Sequence, residues 1–426
     1  MGNKKISFLV VLLFSFIFVL AACSSDGSNN AEGNNENQNA DGNSNGDSDR
    51  SLKIWGMGAE GENLAEFVKG FEEESGIDVE VQSIPWDNAH DKVVTAVASG
   101  KGPDVIQAPM TWVPEFGAAG AFLDLTDYIG DYPNLDQSNF FEESAASTVY
   151  DDQILAVPWF ASTRILYYRT DLLEEVGYPE GPKTWDDMID AATKLTARGD
   201  DQYGLDIAQE DTNMPFIFAL QQGWQYDVDK GAANFEDPKF KDMVELYHSF
   251  FEKDIAQLTE GKELMQAFSD GSKPMFFGGP WMVSTIENQA PELEGKWNIA
   301  VMPEGETKDS FMGGTQLTVF HNTDKVDEAL EFLNYMAKPE TQVAWYKKMN
   351  SMPAVTSAWE DPTLADDPLL DTFREQLENT QIPPMFPEYE QIAAELVKTL
   401  EQINHGGADI DQALEDYRDE VESILE

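Results

Sequence analysis

The sequence predicts an α/β fold with more than one domain, and three observations predict it. Strand-like and helix-like runs alternate over the first part of the folded chain. That order implies parallel strands joined by helical crossovers. Strand-like runs return later, between helical patterns, and the last stretch is almost all helical. The chain has 426 residues. Its folded part, about 375 residues, is long enough to bury two cores without help from disulfides.

The elements follow in order. Ser51 to Trp55 reads as a short strand, and Asn63 to Ser75 as a helix with Leu64, Phe67, Val68 and Phe71 on one face. Gly76 stops that helix, and Ile77 to Ile84 alternates as a second strand. Ala89 to Ala98 is a second helix, and Gly102-Pro103-Asp104-Val105-Ile106 opens a third strand. Strand character returns near Ile165–Tyr168, Phe216–Leu220, Lys273–Phe277 and Leu317–Phe320. From Pro362 onward the pattern is helical. Ile392, Leu396, Leu400 and Ile403 form one stripe. Gly406-Gly407 ends it, Asp409 can cap the next helix, and Ile410, Leu414, Tyr417, Val421 and Ile424 form another stripe. No internal repeat is visible.

Before the first strand the chain has a different character. Lys4 and Lys5 precede an apolar run from Ile6 to Leu20, too short and wrongly flanked for a span that stays in a membrane. Residues 1–22 therefore read as a secretory signal peptide. Leu20-Ala21-Ala22-Cys23 resembles a bacterial lipobox, which implies cleavage before Cys23 and a diacylglycerol on its thiol. Cys23 is the only cysteine. Residues 23–50 then comprise that cysteine and a linker rich in Asn, Ser, Gly and acids, which cannot bury a core and acts as a flexible tether.

Lys and Arg number 27 against 79 Asp and Glu, a formal net charge of -52. Nucleic acid and anionic membrane surfaces would repel such a chain. The acidity reads as adaptation to a saline or alkaline habitat, with a cationic ligand as the alternative.

Signals for catalysis are few. Gly56-Met57-Gly58-Ala59-Glu60-Gly61 has the G-x-G-x-x-G spacing between a strand and a helix. An exported chain meets little nicotinamide cofactor, and Glu60 would set negative charge beside a pyrophosphate. A glycine-rich turn at a ligand cleft accounts for the same residues. His90, His248, His321 and His405 lie far apart and lack metal-ligand spacing, so no metal and no cofactor is expected. There is no G-x-S-x-G elbow and no P-loop. An exported glycosidase stays as the alternative to a binding protein, since carboxylate pairs abound but none stands out.

Several segments carry a family likeness. They are Phe67 to Gly76 (FVKGFEEESG), Gly102-Pro103-Asp104-Val105-Ile106, and Pro158 to Asp171 (PWFASTRILYYRTD) followed by Leu172-Leu173. Gly279-Pro280-Trp281, Gly313-Gly314 and Ser351-Met352-Pro353 complete the set. In this order and spacing the chain from Leu52 to Glu426 resembles the carbohydrate-type extracellular solute-binding proteins of ABC importers, the group that includes maltodextrin-binding proteins. Arg169-Thr170 replaces the family's usual Asn-Lys. The resemblance implies a periplasmic-binding-protein-like fold: two α/β lobes, a ligand cleft, a hinge and a helical C-terminal segment. It places lobe 1 at 51–161 plus 313–338 and lobe 2 at 165–310 plus 341–426. It implies a protein that is not an enzyme. It would act as a monomer on the outer face of the cytoplasmic membrane and deliver a di- or oligosaccharide to the membrane subunits of an ABC importer. A glycerophosphodiester, a polyamine or a peptide is the alternative ligand.

A pyranose has an apolar C–H face that lies flat on an aromatic ring, and a rim of hydroxyls that seeks polar side chains. Of the ten tryptophans, Trp86, Trp112, Trp159 and Trp281 follow turn or motif residues. Trp112, Trp159 and Trp281 are expected in the site, whereas Trp55, Trp185, Trp297 and Trp345 are expected in the core. The resemblance singles out Trp281 as the ring that stacks on sugar. It adds Glu60, Gln107, Ser162, Arg164, Gly314, Thr315 and Tyr389, with a structural ion pair as the alternative role for Arg164.

Overall fold

The computed structural model describes residues 50–426, apart from 260 and 366. The expected signal peptide, Cys23 and the linker as far as residue 49 lie outside the described residues. Nine strands position the site: β1 (Ser51–Met57), β2 (Asp78–Ile84), β3 (Val105–Pro109), β4 (Val157–Ser162), β5 (Ile165–Arg169), β6 (Met275–Gly278), β7 (Trp297–Ala300), β8 (Gly313–Val319) and β9 (Met352–Pro353). They form two sheets, one in each lobe.

The first sheet has the order β9-β4-β8-β3-β1-β2. β1 lies parallel to both β2 and β3, as the alternation of strand and helix requires. β8 runs antiparallel to β3 and β4, and β9 antiparallel to β4. β4 is buried along its whole length because both of its faces are covered. It also contains Pro158, which cannot donate to the ladder. The register shifts between Thr315 and Gln316 of β8, opposite Pro158 and Phe160, so the proline sits at an irregularity that tolerates it. Helices α1 (Gly58–Phe67) and α2 (Lys69–Ser75) occupy the stretch expected to hold one helix, interrupted at Val68. Gly76 ends α2 with φ of 71°. The next helix is α3 (Trp86–Ser99).

The second sheet has the order β6-β5-β7, with both partners antiparallel to β5. Its core is rich in aromatic rings: Trp185, Phe218, Tyr247 and Phe250 pack there with Tyr417 of the last helix. The segment Phe216–Leu220, expected as a strand, is part of a helix, Met214–Gln221. Every residue of that helix is buried, so no polar face marks a helical period. Pro215, in its first turn, needs no amide partner there. The C-terminal helices Tyr389–Asn404 and Ile410–Leu425 pack on this lobe, and Asp409 caps the second by accepting from Gln412 N at 3.2 Å.

The lobe boundaries need one correction. Residues from 341 were expected in lobe 2. Helix Pro339–Met349 instead packs into lobe 1, where Trp345 meets Phe67 at 4.9 Å and Trp159 at 4.8 Å between ring centroids. The following β9 is the edge strand of the six-stranded sheet. Burying Trp345 among lobe 1 rings removes a large apolar surface from water, and this outweighs proximity in sequence to the C-terminal helices. The chain returns toward lobe 2 where Thr380–Gln381 pairs in parallel with Ser310–Phe311.

Candidate ligand-binding site

The glycine-rich turn between β1 and α1 is shaped by close backbone packing. A Cβ on Gly61 would stand 2.3 Å from the Gly56 carbonyl oxygen, so strand and helix meet where only glycine fits. Gly58 has φ of 55° and starts α1. The turn sets Glu60 in the first turn of α1, where it is buried. Burial pushes its carboxyl up to about 7; its own backbone N–H and the charge of Arg164 pull the other way. Arg164 belongs to the crossing between β4 and β5, so this attraction reaches across from lobe 1 to the hinge.

Arg164 has two further partners. Its Nη2 lies 3.0 Å from Asp211 Oδ2, and its guanidinium carbon lies 4.8 Å from the centroid of the Trp281 ring. The second contact is a cation–π pair. Trp281 opens helix α4 (Trp281–Gln289) and is half-buried. A Cβ on Gly279 would lie 2.0 Å from the Trp281 ring, so the Gly-Pro-Trp order lets the indole fold back over its own turn. The Tyr167 hydroxyl donates to Gly279 O at 2.7 Å and holds that turn to β5. The ion pair fits the structural alternative considered for Arg164, and the same guanidinium lies on the Trp281 ring.

A second group lies beside the first. Trp112 is buried, with its ring edge-on to Trp86 at 6.2 Å, His90 at 5.3 Å and Phe116 at 5.7 Å. His90 Nε2 lies 2.8 Å from Glu115 Oε2, and this bond raises the imidazole pKa. Opposite, in lobe 2, burial raises the Glu390 carboxyl. The Thr111 hydroxyl and His90 oppose that rise, so Glu390 faces lobe 1 closely. Its neighbour Tyr389 is buried in the lobe 2 core and donates its hydroxyl to Asn213 Oδ1 at 2.9 Å.

The remaining expected residues cluster around the crossings. Gln107 of β3 is fully buried; its Oε1 accepts from Met57 N at 2.7 Å, while its Nε2 has no partner among the described residues. Ser162 stands opposite Gly313, Gly314 opposite Ala161, and Thr315 opposite Pro109. Trp159, like Tyr389, is a core residue and not an open contact for ligand. It is 1% exposed, with its ring against Phe160 and Trp345, and belongs to the core of lobe 1. Of the four tryptophans assigned to the core, Trp185 and Trp345 are buried, while Trp55 and Trp297 are partly buried. His90, Thr111, Glu115, Asp211 and Glu390 were not foreseen. Asn213 and Met214 amides donate to Asp211 Oδ1, an N-terminal signature that the strand assignment of Phe216–Leu220 concealed.

The result is a face where two lobes meet, lined by carboxyls, a guanidinium and a half-buried indole. Such a set can accept and donate many hydrogen bonds around one flat apolar face. Among the described residues, no group of three or more His, Cys, Asp or Glu could hold a metal ion.

Comparison with known proteins gives concordant likenesses. The family model described as bacterial extracellular solute-binding protein matches residues 66–372. The diacetylchitobiose binding protein of Streptomyces coelicolor is 26% identical over 342 residues, covering 74% of this chain and 73% of the relative. The structure of the sugar-binding protein MalE of Xanthomonas citri superposes with a TM-score of 0.74 at 30% identity, over 88% of this chain and 97% of that one. An ABC transporter solute binding protein of Thermotoga lettingae, solved with α-D-tagatose, superposes with a TM-score of 0.82 at 25% identity, over 88% of this chain and all of the other.

Proposed function

Because the chain belongs to the bacterial extracellular solute-binding proteins, we propose that it captures a di- or oligosaccharide outside the cytoplasm and passes it to an ABC import permease. The observation that carries this reading is Trp281. Its ring is held on the Gly279-Pro280 turn, beside Arg164, at the edge of a face that Glu60 enters from the other lobe. Sugar-binding relatives support the reading.

The mechanism follows from the two walls. Glu60 and Gln107 come from lobe 1, Trp281 and Glu390 from lobe 2, and Arg164 from the hinge. Glu60 is 5% exposed, so ligand enters when the lobes part and is enclosed when they close. Only a ligand that contacts both walls can shift that balance. Gln107 Nε2 then finds an acceptor, and the Glu60 carboxyl, near its pKa at neutral pH, can donate to or accept from a hydroxyl. The protein acts as a carrier without breaking bonds, as a monomer tethered through lipid on Cys23 to the outer face of the cytoplasmic membrane. The likeness to the lipobox at Leu20-Ala21-Ala22-Cys23 supports the tether.

A thermal-shift panel of sugars on the soluble body tests the binding. A ligand at 100 times its Kd should add about 2.7 kcal/mol of stability. A panel with no shift overturns the sugar reading, and cleavage products in the mixture overturn the carrier reading. Small-angle scattering that does not change with saturating ligand removes the closure. Cys23→Ala should release the protein into the medium, and a wild type with an unmodified Cys23 by mass spectrometry removes the anchor.

A further inference from the structure

The helix that carries Trp281 is gripped from the other lobe. Ser284 lies one turn beyond Trp281 in α4 and is buried. Its Oγ accepts a hydrogen bond from Asn350 Nδ2 at 2.7 Å. Asn350 ends helix Pro339–Met349, which packs in lobe 1, so this bond runs between the lobes. It also stands close to the hinge, because Met352, two residues on, pairs with Ala161 of β4, and Arg164 follows in the crossing. Val283 of α4 and Tyr346 of the same lobe 1 helix line a cavity of only about 10 Å³, so the two helices meet closely. The Tyr346 hydroxyl is itself fixed, donating to Asp367 Oδ2 at 2.6 Å.

The residue type at 350 is informative. Helices α2, α3 and Leu264–Asp270 end on Gly76, Gly100 and Gly271, each with a left-handed backbone. Asn350 takes the same place and the same conformation, with φ of 55° and ψ of 14°, and its N–H closes the helix on Tyr346 O. Glycine would serve that cap at least as well, having no Cβ to crowd a positive φ. What asparagine adds is a side-chain amide, and that amide reaches Ser284. On the lobe 2 side, Tyr167 already holds the Gly279 turn to β5. We propose that Asn350 is a positioning residue for the Trp281 ring: through Ser284 it ties the start of α4 to lobe 1 beside the hinge, so that the indole keeps one pose as the lobes part and close. The ring's role toward ligand rests on the sugar reading above, but its pose does not and is measured without ligand. A contact beside the hinge moves little when lobes rotate, whereas contacts far from it must break. Held at Gly279 from one side and at Ser284 from the other, the ring has few poses open to it, and a surface fixed beforehand loses less freedom on binding.

The test is fluorine NMR of the protein labelled with fluorotryptophan, with no sugar added. The Trp281 line is assigned by its loss in Trp281→Phe, and the line of Trp185, in the lobe 2 core, by its loss in Trp185→Phe. Asn350→Gly keeps the backbone cap and removes the amide. Ser284→Ala removes the acceptor and leaves Asn350 in place. Each should shift or broaden the Trp281 line, with the Trp185 line and the melting temperature close to wild type. The double variant should match the single ones, because both remove the same bond. If one single variant fails to fold, the other carries the same comparison. A Trp281 line that stays unchanged in a folded single variant overturns the proposal. So does a double variant whose shift is the sum of the two, since the residues would then act independently. A Trp185 line that moves as far as that of Trp281 also overturns it, since the effect would then be general. A sugar panel without thermal shift overturns the sugar reading and leaves this bond and its effect on the ring standing.

Discussion

Trp159 and Trp281 both follow a proline in sequence, and both were expected against ligand, yet they occupy different surroundings. Trp159 lies inside β4, covered on both faces, with its ring on Trp345 of a helix far along the chain. Trp281 starts a helix at the edge of lobe 2, half-buried, with Gly279 beneath its ring and Arg164 beside it. The local dipeptide is the same. What differs is the residue before the proline and the partner supplied from elsewhere. A glycine lets the ring fold back over the turn and remain at the surface, whereas a central strand buries whatever it carries.

The largest expected effect tests the core half of that comparison. Trp159→Ala should cost about 3–5 kcal/mol of stability, since it empties space between Phe160 and Trp345. Urea unfolding measures it. A loss below about 1 kcal/mol would mean that the ring is not part of the packed core.

Glu60 brings the site into the stability of the fold. Its pKa is raised from 4.5 to about 7, first by burial. The folded protein therefore keeps this proton over a range where the unfolded chain has already released it. Stability from this group is present at low pH and is lost as pH rises from about 4.5 to about 7, then levels off. At about 1.4 kcal/mol per unit, the loss is on the order of 3–4 kcal/mol. Glu60→Gln lacks this component and keeps those of Glu390 and His90, so the difference between wild type and variant isolates Glu60. Equal pH profiles for the two proteins would refute the buried, proton-holding carboxyl.

Trp281→Ala tests the other half. Affinity for the best sugar should fall by about 1–3 kcal/mol, or roughly 10- to 100-fold, while stability changes by less than about 1 kcal/mol. Calorimetry and urea unfolding on the same variant give both numbers. A large stability loss with unchanged affinity would place Trp281 with Trp159 and end the distinction.

Much of this arrangement was legible in the sequence because it is local. The alternation from Ser51 to Ile106 gave the parallel strands, and the stripes at Ile392–Ile403 and Ile410–Ile424 gave the last two helices. The relation of Gly279 to Trp281 is local too. Misreadings arose where a distant partner decides the environment. Met214–Gln221 is buried all round, so neither a two-residue nor a helical period marks it. Helix Pro339–Met349 joins lobe 1 because Trp345 finds Trp159 and Phe67 there, and no spacing in sequence announces that. Asp211 and Glu390 are two acids among 79 until the fold brings them to the face between the lobes.

The smallest expected effect lies on the surface above Trp345. Lys348 Nζ, on the same helix, is 2.7 Å from Glu66 Oε2 of α1, so an exposed ion pair spans the contact that Trp345 buries. Water and salt screen the pair, whereas the ring contact is dry. Lys348→Ala should therefore lower the melting temperature far less than Trp159→Ala does. Salt should act in two opposed ways. Screening weakens this attraction, but it also weakens repulsion among 79 acidic groups opposed by only 27 basic ones. Repulsion is spread over the whole surface and the attraction is one pair, so relief of repulsion should win. The wild-type melting temperature should rise from dilute buffer, where the Debye length is about 30 Å at 0.01 M, to molar salt. The gap between wild type and Lys348→Ala should narrow over the same range, because removing a lysine also adds to the net negative charge. A melting temperature that falls with salt would mean that attractive pairs outweigh the acidic excess. A gap as large as that of Trp159→Ala would mean that the charged rim, and not the buried indoles, holds this helix to lobe 1.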